Sequence, residues 1–110
     1  MIQTETTSAK AHPDLDDVEL LTVLQALSDP VRLEIVRQLA ASESPKGLAC
    51  YQLNLAVSKS TASHHLKTLS QAGITTEREE GTRKYLALRR DELEARFPGV
   101  LDSVLRAAAA

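Results

Sequence analysis

The chain is expected to be mainly α with one small β-hairpin. Apolar residues recur at helical spacing in four separate stretches, which predicts four amphipathic helices. Two runs rich in threonine, tyrosine and leucine flank a Glu-Gly pair, which predicts a hairpin. Proline and glycine fall at the borders of these stretches, where breaks belong. A length of 110 residues fits one domain, and 43% apolar residues can fill a small core. Aromatics make up 3% of the chain, so that core must be built from Leu, Val, Ile and Ala.

Residues 1–13 are polar, lack the apolar stretch of a signal peptide and are expected to be a flexible lead-in to a domain spanning 14–110. Asp16 to Leu27 is predicted to be the first helix. Val18, Leu21, Leu24 and Leu27 form its stripe, Leu20 widens it, and Asp16, Asp17 and Glu19 complement the dipole at its start. Ser28-Asp29-Pro30 breaks and restarts the chain. Asp29 is an N-cap, and Pro30 suits the first helical position because its missing N–H is not needed there. The second helix runs from Pro30 to about Ala41 and buries Val31, Ile35, Val36 and Leu39. A loop with Pro45 and Gly47 follows. Leu48 to Val57 mixes two periodicities and is taken as a short third helix with a turn.

Ser58 to Gly73 carries the most information. Ser58 can cap this fourth helix and Gly73 can stop it with positive φ. Ala62, Leu66 and Leu69 share one stripe, while Ser60, His64, Lys67 and Gln71 share the opposite one. The outward side has no carboxylate. Its hydroxyls, imidazoles and lysines can meet phosphates and base edges without repulsion, as a helix in a DNA major groove requires. Ile74–Glu79 and Thr82–Leu88 are predicted strands around a Glu80-Gly81 turn, with Arg78, Arg83 and Lys84 at a basic tip. Asp91 is expected to cap a short turn. Pro98 is expected to open a last helix to about Ala108, with Val100, Leu101, Val104 and Leu105 as its stripe. The first and last helices are more apolar than so small a monomer can hide. Val18, Leu21, Leu24, Val100, Leu101, Val104 and Leu105 are therefore expected to pair with a second copy.

The net charge of -2 argues against nucleic acid until its distribution is considered. Residues 1–29 hold one lysine against six acids, whereas residues 58–90 hold seven bases against three acids. Screening beyond about 8–10 Å makes the local sign decisive for phosphate attraction. The single cysteine, Cys50, cannot form an internal disulfide, which fits a reducing cytoplasm. No apolar run approaches the ~20 residues of a membrane span. No Gly-rich phosphate loop and no Ser/His/Asp ordering points to an enzyme.

The element order is that of a winged helix-turn-helix. In three segments the chain resembles the ArsR-type bacterial transcriptional repressors. These are Leu24-Gln25-Ala26-Leu27-Ser28-Asp29-Pro30-Val31-Arg32-Leu33, Ser58-Lys59-Ser60-Thr61-Ala62-Ser63-His64-His65-Leu66-Lys67-Thr68-Leu69, and Gly81-Thr82-Arg83-Lys84-Tyr85-Leu86. The resemblance implies a homodimer joined through first and last helices, with recognition helices and wings on one face. It implies a repressor acting on double-stranded DNA through an imperfect palindrome. Ser58, Lys59, Ser60, Thr61, Ser63, His64, His65, Lys67, Arg78, Arg83 and Lys84 are the expected contacts. The family's metal-sensing cysteine pair would fall on Gly47 and Ala49, with Cys50 one step off, and residues 91–110 contain no His for its second site. No metal site and no cofactor is therefore assigned, while a divalent metal without the family's usual ligands, a role as a metal- or partner-dependent co-regulator, and a separate sensor protein are left open.

Simpler readings compete with several of these features. His64 and His65 point about 100° apart and do not easily share an ion, so DNA contact or packing is preferred to metal binding. His12 with Asp14, Asp16 and Asp17 is better read as an acidic lead-in than as a divalent-cation cluster. Cys50 is better read as a small buried hydrophobe than as a sensor. An acidic winged domain that binds proteins instead of DNA is the alternative function; a DNA footprint separates the two.

Overall fold

Asp29 and Pro30 set the first corner of the fold. In a computed structural model that describes residues 12–44 and 46–109, α1 (Leu20–Leu27) ends two residues before α2 (Pro30–Ala41) begins. The Asp29 carboxylate accepts from the backbone N–H of Val31 at 2.9 Å and of Arg32 at 3.0 Å, satisfying two of the orphan donors at the start of α2. Arg32 then reaches back across the corner. Its Nε donates to the Ala26 carbonyl at 2.6 Å and its Nη2 to the Gln25 carbonyl at 3.4 Å, at the other helix end. One short motif thus caps both helices and fixes the angle between them.

The remaining elements are β1 (Leu48–Ala49), α3 (Lys59–Gln71), β2 (Thr75–Glu80), β3 (Arg83–Leu88), α4 (Arg90–Arg96) and α5 (Val100–Ala109). The strands form an antiparallel sheet in the order β1-β3-β2, with Leu48 opposite Leu86 and Glu77 opposite Leu86 on its other side. Ile35 and Val36 of α2, Leu66 and Leu69 of α3, Ile74 and Leu86 form the centre of the core. Full burial of each such side chain is worth about 1.5–3 kcal/mol against exposure. Leu93, Phe97 and Leu101 close the core from the C-terminal side. The winged helix-turn-helix plan is therefore present: α2, the segment after it and α3, followed by a hairpin wing formed by β2 and β3.

The end of α3 also fixes the N-terminal segment. Gly73 has φ +84°, and the Ile74 N–H returns to the Leu69 carbonyl at 3.0 Å, closing the helix in a left-handed stop. A Cβ on Gly73 would lie 2.7 Å from Leu15 Cδ2 and 3.0 Å from Val18 Cγ2. The glycine thus serves both the backbone turn and the close approach of that segment. Two arginines hold the same segment from the other side. Arg96 donates to the Leu15 and Val18 carbonyls at 3.1 and 3.2 Å, and Arg89 donates to the Pro13 carbonyl at 2.8 Å. His12 Nε2 accepts from the Glu77 N–H at 3.0 Å on the open edge of β2. His12 and Pro13, assigned to a flexible lead-in, are therefore anchored; residues 1–11 of that lead-in lie outside the described residues.

Several boundaries differ from expectation for identifiable reasons. The helix expected from Asp16 is a 3-10 turn at Leu15–Asp17, capped by Asp14, and α1 begins only at Leu20. Val18 lies between them in extended conformation, buried in the chain's own core, so it is not part of an outward dimer stripe. Leu101 is likewise buried in the chain's own core. The expected third helix is absent. Leu48–Ala49 pair as a strand, Cys50–Gln52 form a 3-10 turn, and residues 53–57 are irregular. Leu53 and Leu55 pack against the core from this loop, which explains why neither periodicity fitted. The wing turns at Gly81-Thr82, one residue later than expected. α4 begins at Arg90, without a side-chain cap from Asp91, and α5 begins at Val100 instead of Pro98.

Replacing Asp29 by Ala should cost about 0.5–2 kcal/mol in urea unfolding, the usual loss for an N-cap. The hydrogen bond from the Arg32 amide, ahead of the nearby His65, holds the Asp29 carboxyl below its ordinary value of 3.8. A lowered folded-state pKa stabilises the fold above that value and loses its contribution as pH falls through the folded pKa. Asp29→Asn retains a capping oxygen without the titration, so its stability should fall less than the parent's between pH 4 and 2. Gly73→Ala should lower stability by more than 1 kcal/mol, since positive φ and a core clash coincide there; a thermal midpoint within a degree of the parent would contradict this placement.

Candidate nucleic-acid interface

The outward face of α3 begins in a hydroxyl cluster. Ser58 is the N-cap: its Oγ accepts from the Thr61 N–H at 3.2 Å and donates to Thr61 Oγ1 at 3.0 Å, with Ser60 Oγ 3.3 Å away. The cap is built from side chains that keep spare lone pairs, so they can serve both the helix end and an incoming donor. Lys59, Ser60, Ser63, His64 and Lys67 are all exposed along this face. Leu66, Leu69 and Ser70 lie on the buried side. The division into faces follows the sequence reading closely. Thr68, at the margin, bonds its hydroxyl to the His64 carbonyl at 3.1 Å.

His65 does not belong to the outward set. Its side chain is 13% exposed and lies against α2. Arg32 Nη1 stands 3.2 Å from His65 Nδ1, and Asp29 Oδ2 stands 3.8 Å away. Arginine has only donors, so in this contact Nδ1 takes the acceptor role. Of the two expectations for this histidine, DNA contact or packing at the helix flank, the structure shows packing, and it couples α3 to the α1–α2 corner. Its 33-residue separation from Arg32 left no periodic signal in the sequence.

The wing divides its charges by strand alternation. Arg83 shares a face with Arg78 and Tyr85, while Lys84 shares the opposite face with Glu77 and Glu79. Arg83 is exposed and lies over the Tyr51 ring, 5.3 Å from its centroid. Hydrogen bonding to Tyr85 raises its pKa further, so its charge is permanent. Lys84 keeps a 3.7 Å ion pair with the buried Glu77. Arg78 departs from expectation. It lies midway along β2, half-buried, with Nε bonded to Glu80 at 2.9 Å and its guanidinium 5.0 Å from the Tyr85 ring centroid. It supports the sheet and is not at the tip, where Gly81 and Thr82 make the turn.

Two features were not anticipated. Tyr51 is 68% exposed beside Arg83, and its being one of two tyrosines in an aromatic-poor chain was the available signal. Gln38 clamps the irregular segment: its amide donates to the Asn54 carbonyl at 2.8 Å and accepts from the Asn54 N–H at 2.9 Å. This two-point bond holds the approach to α3 where a helix was expected. Cys50 is partly buried and in no disulfide. Among the described residues, no group of three or more His, Cys, Asp or Glu side chains is arranged to hold a metal ion, and no helix is long and apolar enough to cross a membrane.

A helix-turn-helix domain model matches residues 27–78, which run from the end of α1 into β2. The chain is 38% identical over 91 residues to an uncharacterized HTH-type transcriptional regulator, YceK, of Bacillus subtilis strain 168; the match covers 81% of this chain and 89% of that protein. It is 38% identical over 77 residues to an arsenical resistance operon repressor of Staphylococcus xylosus, covering 69% and 71% respectively. A carboxylate-free recognition face, a hairpin wing beside it and relatives matched over most of their length lead to one assignment: the chain belongs to the ArsR-type family of helix-turn-helix transcriptional regulators, which are DNA-binding proteins.

Proposed function

We propose that the protein is a repressor that binds an imperfect palindrome as a homodimer. The observation that carries this reading is the outward face of α3, acid-free from Ser58 to Gln71 and exposed at Lys59, Ser60, Ser63, His64 and Lys67. Two copies of α3 related by a two-fold axis would enter successive major grooves about 34 Å apart. Ser60, Ser63 and His64 would reach base edges. Lys59, Lys67, Arg83 and Lys84 would hold phosphates, with Ser58 and Thr61 at the helix start. Repression would follow from occupying the promoter.

The dimer reading is supported by α1. Its Val23, Ala26 and Leu27 serve the chain's own core, whereas Leu20, Leu21 and Leu24 are 40%, 67% and 38% exposed on the other side. Three leucines adjacent on a helix surface are an apolar patch that water does not favour. Val100, Val104 and Leu105 of α5, all partly buried, are the proposed companions of this patch. Placement of the protein in the cytoplasm accords with this function.

Binding to duplexes selected from a random pool should weaken steeply with salt, by about 0.9 in log K per log salt for each phosphate neutralised. Lys59→Ala combined with Ser60→Ala should weaken binding by about tenfold or more, as expected for lost phosphate and base contacts, while sedimentation shows an unchanged dimer. An unaltered gel-shift midpoint would refute the assignment of α3. Leu21→Lys should shift sedimentation from dimer to monomer at micromolar concentration; a persistent dimer would remove α1 from the interface.

A further inference from the structure

A groove of about 580 Å³ opens between the 3-10 turn and irregular chain of residues 50–57, α3 and the wing. Its floor is apolar, made by Leu53, Leu55 and Val57 of the loop and Leu66 of α3. Three cations line the groove, Lys59, Arg83 and Lys84, of which Lys84 is paired with Glu77 at 3.7 Å. The lining includes no carboxylate, and among the described residues Lys59 and Arg83 are paired with none. The size lies within the range of small-molecule sites, and an apolar floor with a few charges at the entrance is their usual composition.

We infer that this groove binds a small amphipathic carboxylate, whose apolar part lies on the leucine floor and whose anionic end meets Lys59 and Arg83. Charge complementarity selects that occupant. A purely apolar molecule would leave both cations unanswered, and a bare inorganic anion would leave the floor wetted. The consequence rests on the proposed function, because Lys59 and Arg83 are also proposed phosphate contacts. The carboxylate and the DNA backbone compete for the same two cations, so ligand binding releases DNA. The lysine and arginine thereby link effector to operator without a long-range conformational change.

Cys50 lines the groove and is the single cysteine of the chain, so it reports occupancy without any substitution. The test follows the rate at which a small maleimide labels Cys50 in the full-length chain, with decanoate, decanol or inorganic phosphate added, and circular dichroism recorded throughout. Decanoate should slow labelling at least fivefold and saturably, with the fold intact. Decanol and phosphate at the same concentrations should slow it less than twofold. The same decanoate titration should release a selected duplex in gel shifts with a matching midpoint. Lys59→Gln should weaken the decanoate protection severalfold with labelling of the free protein unchanged. Equal protection by decanol, protection only where the dichroism collapses, or no protection would each overturn the inference. Duplex binding without decanoate protection would leave the repressor reading standing and sink this one. Protection without any duplex binding would do the reverse.

Discussion

The orientation of the recognition helix depends on one arginine. Arg32 donates to the carbonyls that end α1, lies beside the aspartate that caps α2, and meets His65 on α3. Three helices thereby share a single guanidinium whose five donors are rigidly splayed. Lysine could supply the charge but not the geometry. The joint is partly buried, which shields its hydrogen bonds from water and keeps them directional. DNA reading demands such stiffness. A contact to a base edge discriminates only if the helix carrying it is held in place, and Ser60 and His64 ride on the same helix as His65.

Much of this was legible in the sequence, because the strongest signals were local. Asp29-Pro30 and Ser58 act within one turn of helix, so cap chemistry alone located both starts. The two faces of α3 followed from its period. Other features depended on partners far along the chain. His65 is drawn inward by Arg32, and Val18 by Gly73; neither distance leaves a trace in periodicity. Leu48–Val57 failed for a different reason. Leu53 and Leu55 are partly buried from an irregular loop pinned by Gln38, so packing without period is what the residues recorded. Arg78 was misplaced because a count of basic residues near a turn ignores strand alternation. The register sets it opposite Tyr85, well below the tip.

The chain divides its apolar residues between two tasks. α1 commits one side to its own core and leaves Leu20, Leu21 and Leu24 outside. Burying what remains exposed on these three is worth roughly 1 kcal/mol each, a part of the 1.5–3 kcal/mol for full burial. In a symmetric pair the contribution doubles to about 6 kcal/mol. Association costs some 4–15 kcal/mol in lost freedom. In the proposed dimer the α1 leucines offset only the lower part of that cost, and the partly buried Val100, Val104 and Leu105 of α5 would have to supply the rest. Leu101, already buried within the chain, adds nothing to that sum.

The irregular segment before α3 shapes what the domain can do. A helix there would satisfy its own backbone and fill the space beside the wing. The loop instead needs an external partner, and the Gln38 amide supplies both a donor and an acceptor to Asn54. Leu53 and Leu55 still pack against the core from it. The groove it borders lies beside Lys59 and Arg83. Arg83 rests on Tyr51, which holds the guanidinium over the groove mouth at modest cost in side-chain freedom. The result is a pair of cations set between an apolar floor and the proposed DNA-facing surface. Under the inferred competition, that one set of charges would connect effector to operator directly.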